Sequence, residues 1–133
     1  MPKCIDELIV TLEDSLPSKE VFIDNFKDVK YTSYFSKDKK LVQYILKKYE
    51  FYNMQTNEMQ PLSFTIEHVM PESSHNNACG MIGNMLPLGE NLNSQLKDKP
   101  FEQKMKKYVE SQYCSVKKFV QEYRTNNEWT EEM

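Results

Sequence analysis

The chain has 133 residues, of which 39% are hydrophobic and 28% charged, and its net charge is −3. That length and balance fit one globular domain with a modest core, and the sequence has no internal repeat, no low-complexity linker and no apolar run of membrane length. The cysteines, Cys4, Cys79 and Cys114, are odd in number and form no Cys-x-x-Cys pair. They argue against a disulfide framework and a zinc ribbon, and with no signal peptide a reducing cytoplasm is expected.

Ile5, Leu8, Ile9 and Leu12 repeat at i, i+3, i+4 and i+7, which predicts an amphipathic helix ended by Pro17. Ser18 is placed to cap a second helix carrying Val21, Phe22, Phe26 and Val29. Tyr31 to Phe35 reads as a loop or an extended piece. The strongest helix starts at Ser36 or Asp38, with Leu41, Val42, Ile45, Leu46, Tyr49 and Tyr52 on one broad face. The stretch from Asn53 to Gln60 is a polar connector.

The central segment follows. Leu62, Phe64 and Ile66 alternate as in a short strand, and Pro71 ends it, because proline has no N–H for a ladder. His68 therefore falls near the strand end. A polar loop over 72–79 leads through Gly80 and Gly83 to Asn84 and a second apolar run, Met85–Leu88. The stretch from Gly89 to Ser94 then leads into a helix. All three glycines of the chain fall in this segment, where tight backbone is needed.

Asp98 and Pro100 announce the next helix, with Phe101, Met105, Tyr108, Val109 and Tyr113 on one face and Lys104 and Lys107 towards its edge. Ser111 or Ser115 opens a last helix with Val116, Phe119, Val120 and Tyr123, broken at Thr125-Asn126-Asn127. The aromatics keep helical spacing and read as core, and the eight methionines as gap fillers.

The order strand, loop, strand, helix, with Ile-Glu-His-Val-x-Pro at 66–71, Ile-Gly-Asn-Met-Leu-Pro-Leu at 82–88 and an Asn nine residues after Asn84, resembles the ββα-metal (His-Me finger, or HNH) nucleases. More narrowly it is similar to the C-terminal nuclease domain of GmrSD-type modification-dependent restriction endonucleases. Pro-Phe-x-x-Lys-x-x-x-Tyr-x-x-Ser at 100–111, Tyr-Ile-Leu at 44–46 and the late Trp129 fit the same family. The family's helix continues beyond that Trp, whereas this chain stops four residues later, so an incomplete C-terminal end is expected.

The resemblance implies an α+β, mainly helical fold with a ββα-metal core. Its expected division within one domain is a helical part at 1–60, the ββα-metal core at 61–97 and basic helices at 98–133. It implies a metal-dependent endonuclease acting on DNA in phage defence, accompanied by an N-terminal ParB-like NTPase. No Gly-rich phosphate loop occurs here, so the chain is not expected to hydrolyse nucleotides alone.

The residues suit that chemistry. His68 is the natural general base, since neutral imidazole is available near neutral pH. Glu67 and Asn93 offer oxygen ligands suited to Mg²⁺ or Mn²⁺, provided that residues 67 and 68 leave the strand at a bend so that both face one site. Asn84 matches the family's middle Asn, which braces the loop and the His rather than touching substrate. Taken singly, each has a plainer reading: His68 as a hydrogen-bonded strand end, Glu67 as a solvated residue, Asn84 as a turn residue, Asn93 as a cap. His75 sits in a polar loop and is expected at the surface.

Charge is uneven. Residues 97–124 hold eight basic against four acidic side chains, +4, and the remainder nine against sixteen, −7. Lys97, Lys104 and Lys107 are the candidate phosphate contacts, although any single lysine is more ordinarily a solvated one. Two other functions compete with the nuclease. A non-catalytic nucleic-acid-binding module of the same fold would not need the Glu-His pair, and a helical interaction domain would leave the glycine-bracketed loop and the Asn spacing unexplained.

Overall fold

In the computed structural model, which describes residues 2–56, 58 and 63–132 with the side chains of Pro2 and Lys3 excepted, a two-stranded ribbon divides the molecule. Strand β1 (Thr65–His68) pairs antiparallel with β2 (Met85–Leu88), with Thr65 opposite Leu88, Glu67 opposite Leu86 and His68 opposite Met85. Leu62, expected to begin the strand, lies outside the described residues. Pro87 is tolerated in β2 because a two-stranded ribbon has only edges. The described residues form six helices and this ribbon, an α+β arrangement dominated by helix.

Side chains alternate along a strand, so the ribbon has two unlike faces. Leu86 and Leu88 belong to a buried cluster with Val69, Leu96, Phe101, Tyr108, Val116 and Phe119. Val69 directly follows β1, and the other partners come from α4 (Glu90–Leu96), α5 (Phe101–Tyr108) and α6 (Cys114–Tyr123). On the other face Met85 joins Val29 and, from α3 (Lys39–Asn53), Val42 and Leu46, with Tyr31 and Ile66 packed alongside.

The helices form where the apolar periodicity predicts them, but they do not all bury what it predicts. Helix α1 (Pro2–Ser15) keeps Ile5, Leu8, Ile9 and Leu12 exposed. Ser18 caps α2 (Lys19–Lys27), accepting a hydrogen bond from the Val21 N–H at 3.3 Å. In α3 the buried face is narrower than expected: Val42, Leu46 and Glu50 are buried at a spacing of four, while Leu41, Tyr49 and Tyr52 are exposed. Glu50 is buried because its carboxylate accepts from the backbone N–H groups of Cys114 and Ser115, at 2.7 and 2.8 Å, and from the Ser115 hydroxyl. It thus caps α6, a helix 64 residues downstream, at the end where backbone donors and the helix dipole favour a negative charge.

Lys104 is a correction. It faces inward, not towards the edge of α5, and has no exposed surface. Trp129 is packed against the rings of Phe101, Phe119 and Tyr123, with centroids 5.0–5.9 Å apart. No helix among the described residues is long and apolar enough to cross a membrane.

Candidate active site

The loop joining β1 to β2 contains three short 3₁₀ turns, Glu72–Ser74, Asn77–Gly80 and Ile82–Asn84. One buried side chain ties it together. Asn84 donates from Nδ2 to the carbonyls of Met70 and Cys79, at 2.9 and 2.8 Å. Its Oδ1 accepts from the Met70 N–H at 2.7 Å and from the Trp129 indole at 2.9 Å. The amide spans the two ends of the loop and pins the C-terminal Trp to it. It acts on the backbone that follows His68, not on the ring.

His68 ends β1 and is mostly covered, with 12% of its side chain exposed. Its Nε2 lies 2.9 Å from the carbonyl oxygen of Tyr31. A carbonyl oxygen only accepts, so Nε2 carries the hydrogen, and in the neutral ring Nδ1 keeps the lone pair. The Tyr31 carbonyl is itself held in place. Tyr31 N–H donates to Gly80 O at 2.9 Å, and Lys30 bridges Met81. A Cβ on Gly80 would stand 2.9 Å from Thr32 Cγ2, so any larger residue there would make this wall shift. Glu72 adds a negative charge 3.7 Å from His68 Nε2 and accepts from both the backbone N–H and the hydroxyl of Ser33. The segment at 31–35, which the sequence leaves as either a loop or an extended piece, thus forms one wall of the site.

His75 sits in the left-handed region, with φ 54°, at the end of the first 3₁₀ turn. It lines an open groove of about 860 Å³ together with Lys30, Tyr34, Glu72 and Asn77. Cys79 is buried beneath that groove. Burial, and then the nearby Glu72, pushes its thiol pKa up, which makes it a poor nucleophile.

Glu67 lies on the opposite face of β1 from His68, because the strand has not bent between them. Its Oε1 accepts from Lys104 Nζ at 2.7 Å and from the Tyr108 hydroxyl at 2.8 Å. Lys104 Nζ also donates to the His68 carbonyl at 2.6 Å. Burial, followed by the Glu67 carboxylate, raises the Tyr108 phenol far above its ordinary range, so it stays a donor. Asn93 donates from Nδ2 to Thr65 Oγ1 at 2.7 Å and to the Ile66 carbonyl at 3.1 Å, fastening α4 to β1.

The fit of a divalent cation to Glu67 and Asn93 is therefore poor. A buried ammonium already neutralises the carboxylate, and removing one partner from such a pair leaves an uncompensated buried charge, a loss of about 3–5 kcal/mol. Among the described residues no three His, Cys, Asp or Glu side chains form a group that could hold a metal ion. The expected co-facing of Glu67 and His68 is not what the strand delivers. The expectation of a phosphate contact at Lys104 is corrected by its complete burial. Lys97 is exposed, and Lys107 is half-buried and paired with Glu110 at 2.9 Å.

Reasoning from sequence missed three participants. Tyr31 contributes only a backbone carbonyl, which leaves no side-chain signature. Glu72 stands four residues after His68 and was readable only as loop polarity. Lys104 keeps helical spacing with Tyr108, and that spacing alone could have suggested a shared inward partner.

The model of the family described as GmrSD restriction endonucleases, C-terminal domain, matches residues 16–133. No curated protein and no solved structure matches the chain.

Proposed function

The chain belongs to the family of GmrSD restriction endonuclease C-terminal domains, and from that membership we propose that it hydrolyses DNA phosphodiester bonds with His68 as general base. The observation that carries the reading is the setting of His68 at the end of β1, with Nε2–H fixed on the Tyr31 carbonyl and the basic nitrogen thereby assigned to Nδ1. A water proton passes to Nδ1 as the water oxygen bonds to phosphorus. The bond from phosphorus to the 3′ oxygen breaks, and that oxygen takes up a proton from solvent. Asn84 keeps the loop after His68 in register, and the HNH-type ββα-metal core is the arrangement this assignment implies.

Exposed Lys97, with Lys107, supplies phosphate contacts whose strength falls as salt rises. A divalent cation such as Mg²⁺ or Mn²⁺ belongs to the family chemistry, but Glu67 and Asn93 do not make a site that fits one, and no step is assigned to it. The same proposal extends to a role in restriction of phage DNA, beside a ParB-like NTPase module in a cytoplasmic protein, which the resemblance implies. The competing reading, a non-catalytic nucleic-acid-binding module, is favoured by the occupation of Glu67 by Lys104.

A supercoiled-plasmid nicking assay on the 133-residue chain, run with Mg²⁺, Mn²⁺ or EDTA, separates the two. A general base contributes about 10²–10⁴-fold, equivalent to about 3–5 kcal/mol of barrier. His68→Ala should lose that much cleavage while plasmid binding persists. His75→Ala should cleave like the wild type. Cleavage surviving His68→Ala but not His75→Ala would refute the assignment.

A further inference from the structure

The resemblance to the ββα-metal nucleases implies a divalent cation near His68, with Glu67, the residue before it, as an expected ligand. In this chain that place is filled from within. Lys104 has no exposed surface, and its Nζ sits 2.7 Å from Glu67 Oε1 and 2.6 Å from the His68 carbonyl. Tyr108, one helical turn on, closes the same carboxylate oxygen at 2.8 Å. A protein ammonium satisfied by a carboxylate and a carbonyl does two things a bound ion would do: it neutralises Glu67, and it fixes the backbone at the catalytic residue. It differs from an ion in being covalently tethered, and so it is always present.

We propose that Lys104 occupies the cation position beneath the end of β1 in place of a divalent ion on Glu67, and that it is a positioning residue for His68. The route from one to the other is short. Lys104 grips the His68 carbonyl, and the orientation of that peptide sets where the ring meets the Tyr31 carbonyl. Asn84 fixes the chain just beyond it, through Met70. The residue is thus held on its backbone by Lys104 and on its ring by Tyr31. The proposal rests on the reading of His68 as the base only for its effect on cleavage. The cation assignment and the ring geometry stand apart from it.

Two measurements test it. In the first, Mn²⁺ is titrated by calorimetry into the wild-type chain and into Glu67→Gln. Affinities agreeing within threefold are expected. A larger loss in Glu67→Gln would show that Glu67 holds a metal despite Lys104, and would overturn the proposal.

In the second, nitrogen-15 spectra of the His68 ring, assigned with His68→Ala, are compared for the wild type and Lys104→Met. The wild type should show the single Nε2–H tautomer, and Lys104→Met a mixture of tautomers. With an active wild type, kcat for nicking in Lys104→Met should fall at least tenfold with KM unchanged. A retained single tautomer, or wild-type kcat beside an active wild type, would overturn the positioning role. Where Lys104→Met does not fold, the double variant Glu67→Gln/Lys104→Met replaces it, because removing both charges together leaves no unpaired ion. A wild-type chain that cleaves nothing would remove the general-base reading but leave the titration and the ring spectra to decide this one.

Discussion

Replacing Glu50 tests whether a helix cap supplied from elsewhere in the chain holds the C-terminal half together. The carboxylate is 3% exposed and receives two backbone N–H groups and one hydroxyl from the first turn of α6. Glu50→Ala leaves those donors facing a void. Each buried donor left unpaired costs about 1–3 kcal/mol, and the lost charge at the helix N-terminus adds up to about 2 kcal/mol. The terms overlap, since one cavity and one water can relieve more than one of them, and a net loss of about 3–5 kcal/mol is expected, the range for breaking a buried charged contact. For a domain of this size that lowers Tm by roughly 10–18 °C. Glu50→Gln keeps one acceptor oxygen and should lose about half as much. Urea unfolding followed by circular dichroism, with the m-value checked for constancy, reads both. A loss under about 1 kcal/mol in Glu50→Ala would mean that α6 needs no cap from α3, and the account of how the two halves are joined would fail.

Three further outcomes follow from local geometry. Lys97 has φ 39° and ψ −116°, a conformation suited to glycine, so Lys97→Gly should stabilise the fold by about 1 kcal/mol in thermal unfolding while weakening plasmid binding. The Tyr108 phenol has its folded pKa raised by burial and then by Glu67, so its contribution is complete below the unfolded value of about 10 and is lost as pH rises beyond it. Wild type should therefore lose about 1 kcal/mol more than Tyr108→Phe between pH 10 and pH 11, measured by urea titration at both. Asn84→Ala removes four hydrogen bonds and should cost about 2–4 kcal/mol, with the Trp129 fluorescence shifting red as the indole is released.

Much of the fold is legible because periodicity is a local property. The ribbon residues, the Ser18 cap and the helix starting after Pro100 are all dictated by neighbours within a few positions. What was not legible depends on contacts across long separations. The width of the buried face of α3 is set by whether α6 presents donors to Glu50, and nothing within α3 encodes that. Leu41 and Tyr49 have the right spacing for a core and are exposed all the same, because the packed partner is narrower than the apolar stripe.

At the site the same division has a chemical edge. A strand motif specifies which residues are adjacent in sequence, and in a regular strand adjacency means opposite faces. Glu67 and His68 read as one catalytic pair only if β1 bends between them, and the pairing of Glu67 with Leu86 and His68 with Met85 keeps it straight. The pair is consequently divided between two environments. His68 faces Tyr31 and Glu72, whereas Glu67 faces a lysine and a tyrosine carried on α5. Two residues that a motif treats as a unit are thus controlled by different parts of the chain, the turn before α3 for one and α5 for the other. Substitutions in either part reach the same peptide bond, which is why Lys104, 36 residues downstream of His68, belongs to any account of how that ring is held.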